Sequence, residues 1–101
     1  MAIDHAGAHE DLQTRDDFAR ELTLLRLAAG LTVRDLAQRL ALPTATLGDY
    51  FSGKHLPSPK HFPSLQALLR ECGVRDDEGI EHWLRATARI KSASDRRVGA
   101  R

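Results

Sequence analysis

The chain has 101 residues, of which 42% are hydrophobic, 29% charged and 5% aromatic, with a single cysteine. That length limits it to one compact domain, and the apolar share excludes a chain disordered throughout. No run approaches the roughly 18 apolar residues of a membrane span, Met1 to His5 carry neither the basic start nor the apolar stretch of a secretory leader, and Cys72 lacks a partner for an internal disulfide or a paired-cysteine zinc site. A cytosolic protein with no membrane contact is expected.

The net charge of +1 conceals alternating blocks. In residues 1–17, Arg15 stands against Asp4, Glu10, Asp11, Asp16 and Asp17, a local −4. Residues 18–61 are +3, residues 62–83 are −3, and residues 84–101, with six basic groups and only Asp95, are +5. The two positive blocks are the ones suited to a polyanion.

The pattern divides the chain into an unordered N-terminal arm (1–15), a helical domain (16–91) and a flexible basic tail (92–101). A first helix is predicted over Asp16 to Ala29, with Phe18, Leu22, Leu25 and Ala29 at helical spacing and Gly30 as a stop. Thr32 is placed to cap a second helix, with Asp35 as the answering acid of a capping box. Val33, Leu36, Ala37 and Leu40 give that helix one apolar face. After the turn Ala41-Leu42-Pro43, a third helix is predicted over Thr44 to Ser52, with Leu47, Tyr50 and Phe51 inward and Gly53 as its C-terminal cap. Three prolines in the eleven residues from Gly53 to Pro63 dictate a loop. Ser64 starts a fourth helix with Leu65, Leu68, Leu69 and Cys72 on one stripe before Gly73. In a fifth, Asp76, Asp77 and Glu78 suit the positive end and Arg85, Arg89 and Lys91 the negative end. Ile80, Trp83, Leu84 and Ile90 face inward there, with Thr87 as a tolerable polar neighbour. Five short helices without a strand signal make an all-α fold.

Within residues 30 to 57, the start Gly30-Leu31-Thr32, the pair Leu36-Ala37, the short turn, Thr46-Leu47 and the closing Gly53 with Pro57 resemble the Cro/repressor-type helix-turn-helix of the xenobiotic-response-element family, also called lambda-repressor-like. Leu25-Arg26 falls where that family has Leu-Arg, and the run Asp49 to Pro57 resembles actinobacterial members. The physics agrees: Ala37 adds little bulk where two helices cross, Leu47 fills the opposing space, and a three-residue turn sets the angle of the third helix. The resemblance implies a bacterial transcriptional regulator, or the DNA-binding module of one, acting on duplex DNA. Thr44, Ala45, Thr46, Gly48 and Asp49 then meet base edges, while Val33, Arg34, Lys54, His55 and Lys60 approach phosphate.

The match departs from the family at informative places. The third helix has no Arg, Lys, Gln or Asn, so the usual bidentate base readers are absent. Asp49 repels phosphate unless it accepts from cytosine or an arginine. Val33 replaces a common Gln, Ala41 the usual turn Gly, and Phe51 a Glu that would pair with Arg26. Weak intrinsic affinity is therefore expected, strengthened by a homodimer or by neighbouring domains. A competing reading is a helix-turn-helix scaffold used as a protein adaptor through an apolar patch of Phe51, Leu56 and Phe62. A third is an antitoxin or phage-type small repressor.

Other residues have structural readings. Asp35 is expected as a cap, Arg26 as a cation paired with an acid or a carbonyl, Cys72 as a buried thiol and Trp83 as the anchor of the fifth helix. His5 and His9 are four apart, and His55 and His61 share a loop, but His5 and His9 lie in the unordered arm without a carboxylate or thiol at metal-binding spacing, so no metal site is read. His55 and His61 add charge near DNA at mildly acid pH. Arg96, Arg97 and Arg101 form a basic arm or a solvated linker. No phosphate loop, nucleophile elbow or tuned acid pair is present, so no enzyme and no cofactor is expected.

Overall fold

A computed structural model describes residues 12–99, with side chains to Ser94. Five helices follow in order: α1 (Arg15–Ala28), α2 (Val33–Leu40), α3 (Thr44–Ser52), α4 (Phe62–Glu71) and α5 (Asp77–Gly99). A 3-10 turn, Pro59–His61, leads into α4, and no strand occurs among the described residues. None of these helices is long and apolar enough to cross a membrane.

The first two helices start where a side chain can satisfy their first amides. Thr14 caps α1 and Thr32 caps α2, each as a reciprocal box in which the hydroxyl accepts from the N3 amide and the N3 carboxylate (Asp17, Asp35) accepts from the cap amide. Those backbone bonds, from Gln13 and Thr14 to Asp17 and from Thr32 to Asp35, hold both carboxyls below the ordinary aspartate range. α4 begins at Phe62 and not at Ser64, because Pro63 is tolerated in a first turn where no amide hydrogen is needed.

α1 packs on α3 and α5, α2 on α3 and α4, and α4 on α5. Their shared core includes Phe18, Leu22, Leu36, Leu47, Leu65, Leu68, Leu69, Ile80, Trp83 and Ile90. Trp83 meets Phe18 edge-on, ring centroids 5.7 Å apart at 71°, and so ties α5 to α1. Thr87 is fully buried because its hydroxyl donates to the Trp83 carbonyl at 2.7 Å. Burial pushes the Cys72 thiol up to about 11, consistent with a structural role.

Two boundaries differ from the sequence pattern. Leu12, assigned to the unordered arm, is fully buried, and Arg89 donates to its carbonyl at 2.7 Å. A lone leucine has no helical repeat to announce it, and a partner 77 residues away leaves no local signal. At the other end, α5 runs past Ser92 to Gly99 where the pattern predicts a tail. The rest of the expected arm, with His5 and His9, and the side chains of Arg96, Arg97 and Arg101 lie outside the described residues.

Candidate nucleic-acid interface

The α2–turn–α3 unit is seated by Leu36 and Leu47, both fully buried, with Ala37 and Tyr50 beside them. Leu47, Tyr50 and the half-buried Phe51 turn one side of α3 inward. The opposite side carries Ala45, Gly48, Asp49 and Ser52, spaced three and four residues apart so that they form one stripe. A Cβ added at Gly48 would meet nothing within 4 Å, so this surface is open. Thr44 and Ala45 are exposed at the start of α3, and Thr46 is half-buried. Pro43 occupies the cap position of α3, and no side chain caps its first amides. Those amides, at the positive end of the helix dipole, are free to meet an anion.

The end of α3 is held more firmly. Gly53 takes φ +80° and an added Cβ would lie 3.1 Å from the Arg15 carbonyl oxygen, so both conformation and close approach select glycine. The Asp49 carbonyl accepts from the Lys54 amide at 3.0 Å and from the Ser52 hydroxyl at 3.2 Å. Its carboxylate Oδ2 lies 3.0 Å from His55 Nδ1. Lys54 and His55 project from this turn into solvent, as does Lys60 from the 3-10 turn.

Arg15 is a residue of this site that sequence reasoning misses. Its Nη1 donates to the Lys54 carbonyl at 2.8 Å and the Gly53 carbonyl at 3.4 Å, while its Nε donates to Ser94 Oγ at 3.1 Å. One guanidinium thus joins α1, the turn after α3, and α5. Its partners lie 38, 39 and 79 residues away, and only tertiary structure reveals them.

Other expected site residues fall differently. Arg34 is exposed in the first turn of α2. Val33 is half-buried against the core, which leaves its backbone amide, and not its side chain, for any phosphate contact. Arg39 pairs with Glu71 at 3.0 Å on the surface. Arg26 donates to the Leu31 carbonyl at 2.9 Å and lies over the Phe51 ring, 5.1 Å from its centroid. The aromatic face replaces an acid as the cation's partner.

The apolar patch expected around the loop is not formed as such. Leu56 is only 6% exposed and belongs to the core, while Phe51 and Phe62 are half-buried against it. The proline-rich loop instead turns Leu56 and Pro57 inward, since burying them removes apolar area from water. Among the described residues, the exposed large apolar ones are Leu24 and Leu27, at 52% and 59%, on α1.

The helix-turn-helix domain family matches residues 17–83, more than half of the chain, and the protein belongs to that family. No curated protein and no solved structure matches.

Proposed function

We propose that the chain is a duplex-DNA-binding module of a cytosolic transcriptional regulator, of the Cro/repressor type found in bacteria, with α3 as the helix that enters the major groove. One observation carries this reading: α3 presents an outward stripe of small side chains, Ala45 and Gly48, with uncapped amides at its start. Small side chains let the backbone approach the groove floor closely. Arg34, Lys54, His55 and Lys60 are the exposed groups that would reach phosphate around it. Thr44 and Thr46 offer hydroxyls to phosphate or base edges and methyls to thymine. The unit has no catalytic part in this reading.

With no Arg, Lys, Gln or Asn on α3, one copy grips a half-site weakly, and affinity rises through a second copy or a neighbouring domain. The test is selection of the purified chain against a random duplex pool at two salt concentrations, with sequencing of the retained duplexes. Retention that falls steeply with salt and enriches a motif supports the reading, and a palindromic motif adds the dimer. Absence of retention at low salt overturns it. Arg34→Glu combined with Lys54→Glu is expected to collapse binding without unfolding the domain, since both side chains are exposed.

A further inference from the structure

The only charged side chain on α3 is Asp49, an anion on the face assigned to a polyanion. Its surroundings explain how it is accommodated. His55 Nδ1 takes Oδ2 at 3.0 Å, while Oδ1 has no hydrogen-bond partner among the described residues. The pair is solvent-accessible, with side chains 36% exposed for Asp49 and 66% for His55. The turn carrying His55 is fixed twice. The Asp49 carbonyl accepts from the Lys54 amide at 3.0 Å, and Arg15 binds the Gly53 and Lys54 carbonyls from behind. A carboxylate engaged through Oδ2 beside the small Ala45–Gly48 surface is therefore partly pre-organised, with Oδ1 left without a partner among the described residues.

An ionised carboxylate only accepts hydrogen bonds. In the major groove, guanine presents two acceptors and thymine an acceptor and a methyl, so neither suits it. Adenine presents a donor beside the N7 acceptor, which repels the second lone pair, whereas cytosine presents its N4 amino group. We infer that Asp49 is a specificity-determining residue that selects cytosine at one position of the site through Oδ1, and that His55 is the positioning residue that holds Oδ2. This rests on the DNA-binding reading above. It accounts for an aspartate on a helix otherwise lacking Arg, Lys, Gln and Asn.

The experiment repeats the duplex selection with the full chain and four variants: Asp49→Ala, Asp49→Asn, His55→Ala and His55→Asn. Thermal unfolding is recorded for each. The wild-type pool is expected to enrich cytosine at one fixed position by about tenfold, the scale of a single base-edge contact. Asp49→Ala flattens that position and leaves the rest of the motif intact. Asp49→Asn shifts it towards adenine, whose edge an amide can meet as donor and acceptor. His55→Ala weakens the preference at unchanged melting temperature, and His55→Asn, which keeps a donor near the Nδ1 position, restores it. A purely structural role for His55 would not produce that rescue. Two outcomes overturn the inference while leaving DNA binding intact: an unaltered motif in Asp49→Ala, or uniformly tighter binding of all sequences in that variant. Failure of the wild-type chain to retain any duplex overturns the DNA-binding reading, and this inference with it.

Discussion

α2 and α3 are nearly equal in length, eight and nine residues, and they begin in opposite ways. α2 opens with a complete capping box, Thr32 and Asp35, so its first amides are partly satisfied from within the chain. α3 opens after Pro43 with no side-chain cap, and its exposed first residues are Thr44 and Ala45. A helix that only has to support its neighbour gains by closing its end. One that has to present its end to a ligand does better with that end open, at some loss of intrinsic stability. On the proposed DNA-binding reading α2 is a strut and α3 a probe, and α3 depends on its inward residues to stay in place.

The largest expected effect tests that dependence. Leu47 is fully buried, and Leu47→Ala is expected to destabilise the domain by about 2–5 kcal/mol in urea unfolding. Duplex retention should fall with it, because α3 would lose its seat on α1 and α2. A loss well below that range would mean that α3 is not held by its inner face, and the contrast would fail.

Next come the two helix starts themselves. Thr32→Ala removes a hydroxyl that accepts from the Asp35 amide at 3.0 Å, at an expected cost of about 1 kcal/mol. Thr44→Ala removes an exposed side chain that caps nothing, and its stability change should stay within about 0.5 kcal/mol. In duplex binding the order reverses, with Thr44→Ala the more harmful of the two. Equal effects in both assays would erase the distinction between strut and probe.

Acid offers a smaller version of the same contrast. The carboxyls of Asp17 and Asp35 lie below their ordinary range when folded, because backbone amides donate to the ionised form. Their contribution is therefore complete above the unfolded aspartate value of about 3.9 and is lost as pH falls through the lower folded values. Between pH 4 and 2, the protection of the Thr14 and Thr32 amides against exchange, taken relative to the intrinsic rate at each pH, should fall, whereas the start of α3, which has no carboxylate cap, should show no such titration. Asp35→Asn should abolish the response at Thr32 alone.

What was legible in the sequence follows the same division. Thr32 with Asp35, Gly53, and the limits of α2 and α3 are local signals, since each depends on residues within a few positions. Of the two partners expected for Arg26, an acid or a carbonyl, the carbonyl is present, on Leu31. Leu12, Leu56 and Arg15 were not legible. The burial of the first two is decided by residues remote in the chain, and the third acts through carbonyls that exist at any residue type. For the candidate interface, composition shows that α3 lacks cationic and amide readers, but only the fold shows that His55 takes one oxygen of Asp49 and leaves the other without a partner among the described residues.

The joint between strut and probe gives the smallest and most specific expectation. Ala41 ends α2 at φ 56°, ψ 43°, the left-handed region, and is the one described non-glycine residue with positive φ. An L side chain there costs about 1–2 kcal/mol relative to right-handed backbone. Ala41→Gly relieves that strain but loosens the unfolded chain, which takes back about 0.4–1 kcal/mol. Because the Ala41 methyl is exposed, no packing is lost, and a net stabilisation of about 0.5 kcal/mol should remain. At about 4–8 °C per kcal/mol for a domain of this size, the melting temperature should rise by a few degrees. The selected duplex motif should not change, because Leu42 still donates its amide to the Ala37 carbonyl at 3.1 Å and so fixes the turn. If the motif changed while stability rose, the strain at Ala41 would be setting the angle at which α3 meets DNA, and the joint would belong to the recognition apparatus as well as to the fold.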